Sequence, residues 1–294
     1  MKTTKLIILA SLLILTCKVS GQYYAPYPVA VDKYKVLDSA YLKCTYRLTS
    51  VKDTSTTEQK KFGLVDMQVL QIGNDRSKYY SQYAIDYDKE IQKMLKKGAK
   101  GIPNSLKFGT YGYEIFKNKS DNKVTVTDLG STLGLSSFGS NYQYEDELSD
   151  MKWKIEKDTS TILTYKCQKA VTEFRGRSWE AWFTSEIPIN NGPWKFGGLP
   201  GLIMKVSDSQ QYFVFECIGI ENPKKKEPIK FYNLKYIKIA RKDLRKLYKL
   251  FHEDNATYHT MLGVGFAFVD PVTNELKDVS HSKIVLPYNP IEKE

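Results

Sequence analysis

Cysteine is scarce in this chain. Among 294 residues there are four, Cys17, Cys44, Cys167 and Cys217, which excludes a disulfide-stapled small fold and a multi-cysteine metal module. Histidine is scarcer still. His252, His259 and His281 all lie near the C-terminal end. The first two are seven residues apart, two turns of a continuous helix, too far to share a metal easily, so they read as ordinary surface histidines. After Thr16 no apolar run is long enough for a membrane helix. There is no fixed-period repeat, no Gly-x-Ser-x-Gly elbow, no His-Glu-x-x-His pair and no phosphate-cradling glycine loop. Glu145-Asp146-Glu147 is acidic, but no glycine-containing calcium loop surrounds it. The residues imply neither a metal site nor a cofactor.

What is present begins with a leader. Lys2 and Lys5 precede the apolar stretch Leu6 to Thr16, and Val19-Ser20-Gly21 supplies small residues before Gln22. This predicts a signal peptide over 1–21 and export of a mature chain 22–294 as a single domain. Lipid anchoring at Cys17 is the alternative, and the destination is periplasmic or secreted. The formal net charge is +11; cleavage removes three lysines and no acid, leaving roughly +8. That excess reads as a solvated basic surface, or as one that meets an anionic surface. No nucleic-acid recognition motif accompanies it. Cys44, Cys167 and Cys217 leave two arrangements open: one disulfide with a free thiol, or three buried thiols on strands.

Tyrosine and phenylalanine are abundant, 21 and 13 residues, and aromatics favour sheets. Leu42, Cys44, Tyr46 and Leu48 alternate with polar residues, which predicts a half-buried strand over 41–50. Further strands are expected at 62–72, 77–83, 163–174, 178–185, 202–206 and 212–220, with a hairpin over 113–129. A Gly/Ser-rich stretch, 130–140, reads as a loop. Helices are expected at 86–97, capped by Asp86, and at 241–253, where Leu244, Leu247, Tyr248 and Phe251 form an apolar stripe. The end, 287–294, reads as frayed. The sum is a mainly β, α+β fold: a curved antiparallel sheet or open half-barrel with two or three helices packed on one side.

Two features stand out as candidate sites. Arg175-Gly176-Arg177 places two guanidinium groups on a tight hairpin, a geometry that can clamp a carboxylate or phosphate. Trp182 on the following strand could add an aromatic face. Glu180 and Glu186 flank that strand, but such acid pairs do not identify a glycosidase. The second feature is the corner 192–203. In Leu199-Pro200-Gly201, proline presets φ and glycine accepts a positive φ, the signature of a type II turn.

In order along the chain stand Cys167, Lys169 and Ala170; Phe174, Gly176 and the flanking arginines; Pro188, Gly192 and Pro193; and Gly198-Leu199-Pro200-Gly201-Leu202-Ile203. This series, over residues 38–222, resembles the GLPGLI family (Porph_ging), exported proteins of the Bacteroidetes; the part 223–294 is less diagnostic. The resemblance implies no catalytic residue, and its motif positions read as architectural. Its strand-rich layout is similar to periplasmic lipoprotein carriers. Three functions follow as expectations. The first is a non-enzymatic envelope protein binding or carrying a hydrophobic ligand, lipid or outer-membrane partner. The second is an enzyme acting on an anionic substrate through Arg175 and Arg177. The third is a structural envelope module.

Overall fold

The computed structural model describes residues 33–55, 64–98, 111–121, 123–128, 141–147, 151–261, 267–269, 273, 275–278, 283 and 285–293. The leader, Cys17, the extended stretch 22–32, the loop expected at 130–140 and His281 lie outside the described residues. The elements in chain order are β1 (Tyr34–Ala40), β2 (Leu42–Ser50), β3 (Leu64–Ile72), β4 (Arg76–Ser81), α1 (Gln82–Lys96), β5 (Tyr113–Asn118), β6 (Lys123–Asp128), β7 (Asn141–Glu147), β8 (Lys154–Ile162), β9 (Tyr165–Phe174), β10 (Arg177–Thr184), β11 (Leu202–Asp208), β12 (Phe213–Glu221), β13 (Glu227–Tyr232), β14 (Tyr236–Lys238), α2 (Arg241–Glu253), α3 (Asn255–Met261), β15 (Ala267–Val269) and β16 (Leu276–Asp278).

Twelve of these strands make one curved sheet in the order β14-β7-β6-β5-β4-β3-β2-β12-β11-β10-β9-β8. All neighbours are antiparallel except β14, which runs parallel to β7. The outer strands β14 and β8 do not meet, so the sheet stays open and is not a barrel. The chain is mainly β with three described helices, as the alternation and aromatic content predict. Alternation places one set of side chains on the inner face. Leu42, Cys44, Tyr46 and Leu48 of β2 are buried there with Leu70, Tyr79, Ile115 and Val126, and the Tyr46 hydroxyl donates to the Ile203 carbonyl at 2.7 Å.

The opposite set carries a second, smaller layer. Tyr80 points away from Tyr79 and meets Ile85 of α1 and Tyr232 of β13. The β1–β13 ribbon is fastened over this face by Lys78. Its ammonium pairs with Glu114 at 2.5 Å, donates to the Lys230 carbonyl at 2.8 Å and sits 4.5 Å from the Tyr232 ring. Helix α1 starts four residues earlier than the Asp86 cap predicts. Ser81 is the actual cap: its hydroxyl accepts from Ala84 N–H at 3.0 Å while donating to Asp66 at 2.8 Å, so a tertiary contact extends the helix backward. Helix α2 has the predicted bounds, and Leu244 is its buried anchor.

Candidate functional site

The inner face holds a cavity of about 170 Å³. Its floor is strand residues Tyr113 and Ile115 of β5, Val126 and Asp128 of β6, and Tyr144 of β7. One wall is α2, through Leu244, Arg245, Tyr248 and His252. The corner residues Trp194 and Lys195 form another, and Pro287 to Glu292 form the roof. Hairpin register puts the floor residues on one face: Ile115 opposes Val126, and Val126 opposes Tyr144.

The roof is not a frayed tail. Arg177 holds it, donating to the Asn289 side chain at 2.6 Å, the Pro290 carbonyl at 2.5 Å and the Ile291 carbonyl at 3.1 Å. The same guanidinium pairs with Asp208 at 2.9 Å, both side chains 2% exposed. Asn289 donates to the Val51 carbonyl at 2.6 Å, and Lys293 N–H donates to the Arg175 carbonyl at 2.9 Å. Long polar side chains thus seat a segment with little apolar content, which is why hydropathy suggests a loose end.

Two carboxylates organise the charges beside the cavity. Glu292 binds Lys195 at 2.5 Å and Arg241 at 2.6 Å. Asp146 binds Arg175 at 2.8 Å and Lys195 at 3.2 Å. Burial works against the Lys195 ammonium, but Tyr144, Glu292 and Asp146 outweigh it and raise its pKa. Burial, then the adjacent Asp128 carboxylate, holds the Tyr248 phenol protonated, and that phenol donates to Asp128. His252 is not a plain surface histidine. Its ring stacks on Tyr288 at 4.4 Å, burial lowers its pKa, and its Nδ1 lies 2.7 Å from the Tyr248 carbonyl. A neutral ring donates there. Among the described residues no group of His, Cys, Asp and Glu is placed to hold a metal ion.

The corner 192–203 is built differently from the expected type II turn. The positive φ belongs to Gly198, at 86°, and not to Gly201. Gly201 is glycine because a Cβ there would fall on the Thr184 carbonyl. Gly192 is close-packed too: a Cβ would come within 2.9 Å of the Ile203 Cβ. The corner wraps a buried cation, Lys117, which donates to the Asn191 side chain at 3.0 Å, the Gly192 carbonyl at 2.9 Å and the Phe196 carbonyl at 2.5 Å. Trp194 is thereby held at φ 48°, a strained backbone for a bulky side chain, and its ring packs 5.1 Å from Phe196. Leu199, Leu202 and Ile203 enter the core. Pro200 precedes the close contact, and Pro193 accepts from Phe196 N–H at 3.0 Å.

The two arginines of the hairpin serve different partners. Arg175 and Gly176, at φ 53° and 75°, form the paired positive-φ turn of a two-residue hairpin. Arg175 reaches Asp146, and Arg177 reaches Asp208 and the roof. Trp182 lies on the other face of β10 from Trp179 and donates to Glu180 at 2.9 Å, beside the Lys169–Glu180 pair at 3.0 Å. Cys167 and Ala170 are core residues, Phe174 packs on Trp194 at 5.9 Å, and Pro188 sits within the tight turn closed by Ile189 N–H donating to the Ile187 carbonyl at 2.7 Å. Lys117, Tyr144, Lys195, Arg241 and Glu292 escape sequence reasoning. One signal was available: Lys117 occupies an inward position in the alternation of β5.

An open curved antiparallel sheet, with an aromatic and charged cavity roofed by its own C-terminal segment, defines the class. Within it, residues 109–243 match the family model described as N-glycanase peptide, N-terminal domain. No curated protein matches the chain. Among solved structures, PNGF-II in space group P21 aligns at 15% identity and a TM-score of 0.47, covering 72% of this chain and 33% of that one. PNGF-II in space group C2 aligns at 15% identity and a TM-score of 0.45, covering 70% and 32%. The chain thus spans about a third of the length of those structures.

The match corrects the family expected from the hexapeptide. The window 109–243 includes Gly198 to Ile203, and the family model that matches there is the N-glycanase N-terminal domain, not GLPGLI. The hexapeptide misleads for a physical reason: its glycines and apolar residues answer a packing demand of the corner, so they report a shape and not a chemistry. The expected non-enzymatic carrier of a hydrophobic ligand, lipid or outer-membrane partner is overturned by the same finding.

Proposed function

We propose that this chain is a glycan-handling domain of the N-glycanase type, which receives a sugar residue of a glycopeptide in the cavity under its C-terminal roof. One observation carries the reading: the window matching the N-glycanase N-terminal domain supplies the cavity's floor and corner, including Tyr113, Asp128, Tyr144, Trp194 and Lys195. The chemistry fits. Aromatic faces cover the apolar C–H side of a sugar ring, and fixed charged groups meet its hydroxyls. The volume, about 170 Å³, lies below the roughly 300 Å³ at which drug-sized pockets begin, so it suits one sugar unit of a larger glycan. Among the described residues no helix is long and apolar enough to cross a membrane. Export through the 1–21 leader belongs to the same proposal.

The test is titration of the purified mature chain with an N-glycosylated peptide and its sugar-free counterpart, read by Trp fluorescence and calorimetry. Binding of the glycosylated form alone, weakened by Tyr144→Ala in a folded variant, supports the reading; equal or no binding overturns it. Mass analysis of the same mixtures, for conversion of the glycosylated Asn to Asp, tests whether hydrolysis accompanies binding.

A further inference from the structure

We infer that the cavity selects sugars bearing a negative charge, a carboxylate or a sulfate or phosphate ester, held between Lys52 and Arg245; this rests on the glycan-handling reading. The cations around the cavity fall into two groups. Lys195 and Arg241 are neutralised by Glu292 and Asp146. Lys52 and Arg245 also line the cavity, yet among the described residues neither has a carboxylate within ion-pair distance. The buried Nε of Arg245 has no hydrogen-bond partner there, an arrangement that costs stability unless something supplies an acceptor.

The two unpaired cations belong to one end of the cavity. His252 and Tyr288 are stacked on each other; the charge of Lys52 acts on His252, and Arg245 acts on Tyr288 against the weaker opposing charges of Glu253 and Glu292. Lys52 follows β2, Arg245 rides on α2, and the Tyr288 roof spans them, so three separate segments converge. The cations on the outer side of α2 differ. Lys246 pairs with Asp243 at 2.9 Å and Lys249 with Glu253 at 3.7 Å. Lys242 also lacks an ion pair but is exposed to solvent, so among the described cations of α2 it is Arg245 that lacks a carboxylate while lining the cavity. An anionic group entering there would accept from a guanidinium and an ammonium with the aromatic pair beside it.

The experiment compares matched glycopeptides that are neutral, sialylated or sulfated, titrated into the full mature chain at low and high salt. The acidic forms are expected to bind about tenfold tighter than the neutral one, the size of one charge-assisted hydrogen-bonded contact, with the advantage shrinking at high salt. Lys52→Gln and Arg245→Gln should each remove most of that advantage, so that the ratio of acidic to neutral binding falls toward one, with thermal melts confirming the fold. The sialylated and sulfated arms separate carboxylate from ester. Equal binding of neutral and acidic forms overturns the inference and leaves the glycan-handling reading standing. So does an equal loss from substituting the remote lysines Lys224, Lys225 and Lys226 by Gln, since that makes the effect diffuse charge. If no glycopeptide binds, the glycan-handling reading fails and this one with it.

Discussion

Gly198 and Gly201 are glycines of one corner for different reasons. Gly198 needs a left-handed backbone, which an L side chain adopts at a cost of roughly 1–2 kcal/mol. Gly201 needs empty space against the Thr184 carbonyl, and forcing a methyl group there moves backbone, at about 3 kcal/mol. Urea denaturation should therefore show Gly201→Ala losing more stability than Gly198→Ala; the reverse order would restore a turn-type explanation. Lys117 offers a second measurement. Burial lowers its pKa from 10.5 to about 7. Between those values the unfolded chain holds a proton that the folded chain has released, so folding stability rises with pH across the window, and below about 7 the contribution is flat. Lys117→Met leaves the Gly192 and Phe196 carbonyls unmet, while Asn191 Oδ1 keeps the Gly192 N–H, and should cost about 2–3 kcal/mol near neutral pH. The wild-type advantage over that variant should grow from pH 7 upward in paired denaturation curves.

At the scale of elements, the decisive piece is the segment 286–293, which has no regular structure yet forms a cavity wall. It is held by ion pairs and by side-chain bonds to its carbonyls, with Arg177, Lys195 and Arg241 as the fixed posts. Glu292→Gln removes one side of two poorly exposed ion pairs and should destabilise by about 3 kcal/mol. Hydrogen exchange should quicken first in α2 and the 286–293 segment, while β2, β3 and β12 keep their protection. Uniform loss across the sheet would show that the segment is part of the global folding unit. Element bounds were legible wherever alternation or a helical stripe was strong, as in β2 and α2. The start of α1 was not, because its cap, Ser81, is fixed by Asp66 of a neighbouring strand.

For the molecule as a whole, the single core on the sheet's inner face explains the three described cysteines. Cys44, Cys167 and Cys217 are all free thiols and all buried, which settles the two arrangements left open by their number in favour of unpaired thiols. Burial pushes Cys167 up to about 11 and Cys217 up to about 12, and Cys44 is raised as well. Thiol reagents act on the thiolate, so at neutral pH the three should stay unmodified in the native protein and react together on unfolding. Reductant should leave the melting temperature of the mature chain unchanged. A thiol that reacts in native buffer would place that strand in a locally opening part of the sheet.

Local chemistry, as written in the sequence, determined the strands, the α2 helix, the Arg175-Gly176 hairpin and the mainly β class. Alternation and turn residues act within a few positions along the chain. The cavity was decided by the tertiary structure alone. Its groups come from Lys52, Tyr113, Tyr144, Lys195, Arg245 and Glu292, separated by up to most of the chain's length, and no spacing rule joins them. The hexapeptide shows the same division. Glycine, proline and leucine in that order announced a tight corner, but which glycine carried the positive φ, and which one yielded to a passing backbone, depended on where β10 ran.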